Sequence, residues 1–363
     1  MKIYNKRLVK TLLISALSAV LLTPSYAADL KRVWPQYQSF MSSRAKDNVF
    51  ISNLNNEEFV SSEIYSYVML FALTQKDKNR FDGLLSALET TLCKGDIKSN
   101  LPYARVKLNK NGNENREGTL TRANLFIAYD LYTAYEMFKD ESYREKADAI
   151  AAMVKSSCTY GHPVLGTVIL PSYNNVADKK EITITPNIFA PFVMQKLGQY
   201  DIDYLSLYDN TVSAVVRGSG DGFAADTLTF NMDGDQIIRI NSIGSLDALR
   251  FYLWLGITCE SDPNRRLLIP LYENMLKDIE KDLNVPEVAN LYTHKVGGIG
   301  TLSYMASTML LEKNKEKDFF RTVLKNHVFK KDELYAQVMT MFALGFDNHY
   351  FRFSHDGSLV LEY

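Results

Sequence analysis

Residues 60–80 read VSSEIYSYVMLFALTQKDKNR, and the architecture of the chain follows from this stretch. Ser61 and Ser62 carry hydroxyls suited to accept from the free N–H groups at a helix start. Glu63 follows, and from Ile64 to Leu73 the only polar groups are the hydroxyls of Tyr65, Ser66 and Tyr67. A helix this apolar is a buried one. Glu63 at its mouth feels two opposed pulls, because the helix dipole favours the carboxylate and apolar packing favours the acid. That opposition is one way to hold a general acid near neutral pH. The plain alternative is a first-turn glutamate on the surface.

The chain opens like an exported protein. Lys2, Lys6, Arg7 and Lys10 precede an apolar run from Thr11 to Leu22 that is too short to span a bilayer, and Ser25-Tyr26-Ala27 has the small-x-small pattern of a cleavage site. Residues 1–27 are therefore expected to be a signal peptide. A periplasmic or secreted protein without a membrane span is expected from 28–363, as a single domain, since no Pro/Gly/Ser linker divides it. The leader holds four of the 41 Lys and Arg and none of the 42 Asp and Glu, so the remainder carries about −5. That balance lacks the basic excess of a nucleic-acid binder. The three cysteines, Cys93, Cys158 and Cys259, allow at most one disulfide and fit no metal spacing.

Helical periodicity recurs along the chain. It predicts helices over Leu30–Ser43, Phe81–Cys93, Thr119–Lys139, Ser142–Ser157, Thr183–Gly198, Tyr204–Val215, Ser245–Thr258, Arg265–Asp282, Gly300–Leu311, Glu316–Asn326 and Lys331–Gly345. Lys46–Glu58 and Asn109–Glu117 read as loops. Strand alternation is expected only at Thr227–Asn231 with Gln236–Ile240, turning at Asp233-Gly234-Asp235, and at Tyr350–Phe353 with Ser358–Glu362. About a dozen helices joined by short turns fit a solenoid or a closed α/α toroid, and no fixed-period repeat supports the solenoid.

The chemistry must come from carboxylates. His162, His294, His327, His349 and His355 are scattered, no phosphate loop is present, and no serine sits in a nucleophile elbow. Gly218-Ser219-Gly220-Asp221-Gly222 lacks dinucleotide spacing and reads as a loop. A second acid resembles Glu63 in its setting. Asp247 stands in the first turn of the apolar helix that follows Gly244-Ser245, with Arg250 three residues on and on the same face. Read alone, Asp247 is an ordinary capping acid. In a toroid, though, alternate helix starts converge on one rim, and two acids across a cleft suit glycoside hydrolysis.

At this point the sequence resembles glycoside hydrolase family 8, over nearly all of the chain from Trp34-Pro35 onward. Ser62-Glu63-Ile64-Tyr65-Ser66-Tyr67 is similar to the family's Ser-Glu-Gly-Gln-Ser-Tyr. Ser245-Leu246-Asp247-Ala248-Leu249-Arg250-Phe251-Tyr252-Leu253-Trp254 is similar to Ser-Tyr-Asp-Ala-Ile-Arg-Val-Tyr-Leu-Trp. Leu101-Pro102, Ile169-Leu170-Pro171, Ser261-Asp262-Pro263 and the segment from Gly345 to Ser354 fall in the expected order. The resemblance implies an all-α (α/α)6 toroid with a glucan groove on one rim and an inverting mechanism. It places the proton donor at Glu63 and the water-activating base at Asp247. It implies a β-linked polysaccharide as substrate, an exopolysaccharide synthesis and export machinery as a candidate partner, and no cofactor, since two carboxylates suffice.

Departures from the family pattern cluster where sugar should bind. The family's Ser-Asp-Ala-Asp or Ser-Asp-Gly-Asp is Thr121-Arg122-Ala123-Asn124, so an acid that grips the sugar becomes Arg122. An arginine there is expected to pair with Glu63 or Asp247 and hold it ionised. The tryptophan-bearing Pro-Ala-Trp-Leu-Trp-Gly is Pro102-Tyr103-Ala104-Arg105-Val106-Lys107, and Asn-Pro-Ser-Tyr is Thr185-Pro186-Asn187-Ile188. Expected substrate-binding residues are Arg122, Asn124, Tyr67, Tyr103, Arg250 and Asp226. Three readings stand: a β-glucanase of cellulase type, a hydrolase retuned to another, charged polysaccharide, and an inactive polysaccharide-binding relative.

Overall fold

The structure, a computed structural model, describes residues 33–361 apart from 55–56, 109–114, 174–179, 189, 219–221, 233–236 and 239–242. The expected signal peptide, the Asp233–Asp235 turn and most of the glycine loop after Gly218 lie outside the described residues.

The helices run in chain order α1 (Pro35–Arg44), α2 (Ser62–Thr74), α3 (Lys78–Leu92), α4 (Thr121–Phe138), α5 (Glu141–Ser157), α6 (Pro191–Tyr200) and α7 (Asp203–Gly218). They continue with α8 (Leu246–Ile257), α9 (Pro263–Leu268), α10 (Glu273–Asp282), α11 (Leu302–Thr308), α12 (Asn314–Asn326) and α13 (Leu334–Asp347). Burial sorts them into two rings. Every residue of α2 except Glu63 is buried, and so is all of α8 from Ala248 onward. By contrast, α3 buries only Phe81, Leu84, Leu85, Leu88 and Leu92, one helical stripe. Helices α2, α4, α6, α8, α11 and α13 form the inner ring, and α13 packs back on α2 to close it. The fold is an (α/α)6 toroid.

Aromatic rings fill the axis. Tyr67, Phe126, Phe192, Trp254 and Phe342 come one each from five inner helices, and Phe126 lies 5.5 Å from Tyr67, 5.7 Å from both Phe192 and Trp254, and 6.2 Å from Phe342. Most of these contacts are edge-on or tilted, the geometry aromatic quadrupoles favour. Trp34, just before α1, stacks on Tyr350 at 5.3 Å and meets Phe71 edge-on at 5.4 Å, tying the segment before α1 to α2 and to the residues after α13.

Several sequence expectations need correction. Thr183–Gly198 is not one helix. It is a strand at Glu181–Ile184, a 3₁₀ turn at Pro186–Ile188 and then α6, because Pro186 and Pro191 cannot donate into a helical ladder. Arg265–Asp282 is broken by a 3₁₀ turn at Ile269–Tyr272 around Pro270. The segments read as loops contain strands. Ser52–Leu54, Glu57–Ser61, Tyr103–Lys107 and Asn115–Thr119 form an antiparallel four-stranded sheet in that spatial order. Further small pairs occur at Thr159–His162 with Gly166–Ile169 and at Val288–Asn290 with Val296–Gly297. The two expected hairpins are present, Leu228–Asn231 with Ile237–Ile238 and Arg352–Phe353 with Leu359–Val360. All three cysteines are free.

Candidate active site

The four-stranded sheet delivers two of the site's charged residues. Its second strand ends at Ser61, whose hydroxyl accepts from Ile64 N at 3.3 Å and starts α2. Its last strand ends at Thr119, two residues before α4 begins. Ser61 faces Arg105 across the sheet, and Arg105 faces Glu117. Glu63 and Arg122 are therefore first-turn residues of neighbouring inner helices.

Asp247 arrives by a different route. Gly244 closes the backbone onto a loop so tightly that an added Cβ would lie 2.1 Å from Ala224 O. The Asp226 carboxylate then takes the place of a cap. It accepts from Ser245 N at 2.8 Å, Ala248 N at 2.9 Å and Ser245 Oγ at 2.7 Å. These bonds satisfy orphan donors at the start of α8 and set its negative charge against the positive end of the helix.

The starts of α2, α4, α8 and α13 line one cleft of about 580 Å³, with Glu63, Arg105, Arg122, Asp247, Arg250 and Tyr335 on its walls. A second cavity of about 550 Å³ lies beside Trp34, Arg44 and His327 and has no carboxylate in its lining, so the acid pair belongs to the first.

Glu63 is clasped. Arg122 donates from Nε to Oε1 at 3.0 Å and from Nη2 to Oε2 at 3.4 Å, Arg250 Nη1 donates to Oε1, and Tyr67 OH donates to Oε1 at 3.1 Å. The Glu63 side chain is 13% exposed. Burial pushes its carboxyl pKa up, but Arg122 and then Arg250 outweigh burial and pull it down to about 2. Arg250 reaches on from Glu63 to Asp247 Oδ1 through Nη2, so one guanidinium touches both acids. Asp247 is 53% exposed and also receives Asn187, which donates from Nδ2 to its carbonyl at 2.7 Å and to Oδ1 at 3.4 Å.

The structure thus brings together Glu63, Asp247, Arg122 and Arg250. Tyr67 is 2% exposed and serves Glu63 from within the core. Three residues expected to bind substrate sit elsewhere. Asn124 is fully buried and absent from the cleft lining, and neither its Oδ1 nor its Nδ2 has a partner among the described residues. Asp226 is engaged in holding α8. Tyr103 is half-buried between Lys94 and Arg116, which stand 5.7 and 5.6 Å from its ring centre, while its neighbours Ala104 and Arg105 reach the cleft. The expected sites missed Asn187 and Tyr335. Asn187 was visible only as a departure within Thr185-Pro186-Asn187-Ile188, and its bond to Asp247 spans 60 residues. No group of three or more His, Cys, Asp or Glu side chains placed to hold a metal occurs among the described residues. No helix among them is long and apolar enough to cross a membrane.

The family described as "Glycosyl hydrolases family 8" matches residues 1–349 of the chain. An endoglucanase of Escherichia coli O157:H7 is 24% identical over 352 residues, spanning 95% of this chain and 96% of that protein. The crystal structure of an endo-1,4-D-glucanase from Vibrio fischeri ES114 superposes with a TM-score of 0.84 at 25% identity, covering 91% of this chain and 99% of that one. The endo-β-1,4-glucanase CMCax from Acetobacter xylinum shares the fold, with a TM-score of 0.71 at 16% identity over 86% of this chain and 98% of its own.

Proposed function

Since the chain belongs to family 8 of the glycosyl hydrolases, we propose that it cleaves a β-linked glucan internally by an inverting acid–base mechanism. Glu63 protonates the leaving glycosidic oxygen, and Asp247 takes a proton from the attacking water. The observation that carries this reading is convergence. Two first-turn carboxylates, 184 residues apart in sequence, line one cleft and share the Arg250 guanidinium. Exposed Asp247 has access to the water it would activate, while Glu63, buried and paired with Arg122 and Arg250, must gain a proton before it can serve as the acid. Asn187 and Asp226 hold the helix start that presents Asp247. Residues 1–27 act as an export signal, and the enzyme works in the periplasm or outside the cell, where an exopolysaccharide synthesis and export machinery is its candidate partner.

A second reading is favoured by one observation, the Arg122 pair that keeps Glu63 ionised. In that reading the cleft binds glucan without turning it over. Reducing-end release from barley β-glucan and carboxymethylcellulose separates the two. The hydrolase reading expects release by the wild-type protein and a loss of about a hundredfold or more in Glu63→Gln and in Asp247→Asn. Glucan binding without any release by the wild-type protein would favour the second reading.

A further inference from the structure

The hydrolase reading, on which this inference rests, leaves a charge unaccounted for. Glu63 must be neutral to give up a proton. Among the described residues the cleft holds two close guanidinium–carboxylate sets: Arg122 with Glu63, and Arg250 with both Glu63 and Asp247. Protonating Glu63 leaves Asp247 to balance Arg250 and removes the carboxylate paired with Arg122. The Arg122 side chain is only 18% exposed, so water screens it weakly. A neutral glucan offers hydroxyl groups, which accept hydrogen bonds but bring no charge.

We propose that the substrate is a β-linked glucan bearing anionic substituents, carboxylate or phosphate, and that one such group seats on Arg122 and releases Glu63 to act as the acid. The cleft has room for this exchange beside Arg122. Arg105 lines the same wall, with its guanidinium 4.9 Å from the centre of the Phe59 ring, and supplies a second cation near the strand that leads into Glu63. Glu117, Asp247 and Asp332 line the cleft as well, and Glu117 faces Arg105 across the sheet. Asp247 and Asp332 direct an incoming anion toward the arginine wall and away from the base. Once Arg122 holds the substrate anion, Glu63 takes a proton from solvent. It passes that proton to the glycosidic oxygen as the C1–O bond breaks. The water oxygen bonds to C1 and its proton goes to Asp247.

Arg122 is then the residue that sets specificity. The test compares initial rates on three soluble celluloses of matched substitution: carboxymethyl, phosphate and neutral hydroxyethyl. Wild-type protein is expected to cut at least one anionic polymer about tenfold or more faster than the neutral one. Which anionic polymer is cut identifies the substituent. In Arg122→Gln the ratio is expected to fall to near one, chiefly because the rate on the neutral polymer rises. Equal rates of the wild-type protein on anionic and neutral polymers would overturn the inference without any variant, and so would a ratio that survives in Arg122→Gln. Failure of both proteins on all three polymers would instead remove the hydrolase reading and this inference with it.

Discussion

Arg122 and Glu63 meet side-on across 59 residues of sequence, Nε to Oε1 at 3.0 Å and Nη2 to Oε2 at 3.4 Å. A glutamate at the mouth of an apolar helix would by itself be held toward its acid form. Arg122, with Arg250 behind it, reverses that, so the same carboxylate is pulled to about 2 from an ordinary 4.5. The consequence reaches both stability and catalysis.

For stability, the carboxylate form is the one the fold prefers. A depressed folded pKa contributes stability that is fully present above pH 4.5 and is lost as pH falls through about 2. A shift of this size corresponds to about 3 kcal/mol. Glu63→Gln, which mimics the neutral acid, is expected to lower unfolding free energy by about that amount at pH 7. Urea denaturation at neutral and strongly acid pH checks this. The gap between the two proteins should narrow in acid, and equal stability at pH 7 would contradict the ion-pair account.

Asp226 acts on the base at one remove. Its carboxylate holds Ser245 and Ala248, the residues around the first turn that carries Asp247. Asp226→Ala is expected to cost about 1–2 kcal/mol of stability, as loss of a helix cap does. It should lower kcat more than it raises KM, because a shifted α8 start misplaces Asp247. Asp226→Asn keeps an acceptor oxygen and should recover part of kcat. A kcat unchanged in Asp226→Ala would show that α8 holds its position without the cap.

Asp130 stands eight residues beyond Arg122 on α4 and is absent from the cleft lining. It is fully buried on α4, and neither carboxyl oxygen has a partner among the described residues. Burial pushes its pKa well above the ordinary 3.8. The folded protein therefore keeps it protonated while the unfolded chain ionises it. Its contribution is whole below pH 3.8 and declines as pH rises toward the folded value. Asp130→Leu is expected to raise stability at pH 7 by about 1–3 kcal/mol, with a smaller gain near pH 4, where only the cost of burying the neutral, unpartnered acid is relieved. Thermal melts at the two pH values measure the difference, and a melting point at pH 7 no higher than wild type would contradict it.

The many helices and the apolar runs of α2 and α8 could be read from sequence, but the choice of a toroid over a solenoid came from the resemblance to family 8. Glu63 and Asp247 were visible as acids opening α2 and α8, but read alone they were ordinary first-turn acids, and their roles came from the resemblance. Apart from the two expected hairpins, the strands were not legible. Several are two to five residues long, and their pairing depends on partners distant in sequence, as Ser61 with Arg105 shows. Local alternation is too brief there to outweigh polar composition. The helix expected over Thr183–Gly198 failed at Pro186 and Pro191, residues that state their own objection to a helix. Asp226 and Asn124 were expected to touch sugar, and only tertiary packing shows that one caps a helix and the other is sealed in the core. A pairing of Arg122 with Glu63 or Asp247 was anticipated from its place in the family motif, but which acid it takes, and the grip of Arg250 on both acids, needed the ring of helices to be closed.

The most direct test of Glu63 as an acid restrained by Arg122 is the pH dependence of kcat/KM on barley β-glucan, for wild type and for Arg122→Asp. With Glu63 at about 2 in the free enzyme, wild-type kcat/KM on this neutral polymer should fall about tenfold per pH unit between about pH 4 and pH 7. Arg122→Asp should move that fall to higher pH and raise the neutral rate. A wild-type plateau across the same range, unchanged in Arg122→Asp, would contradict the account.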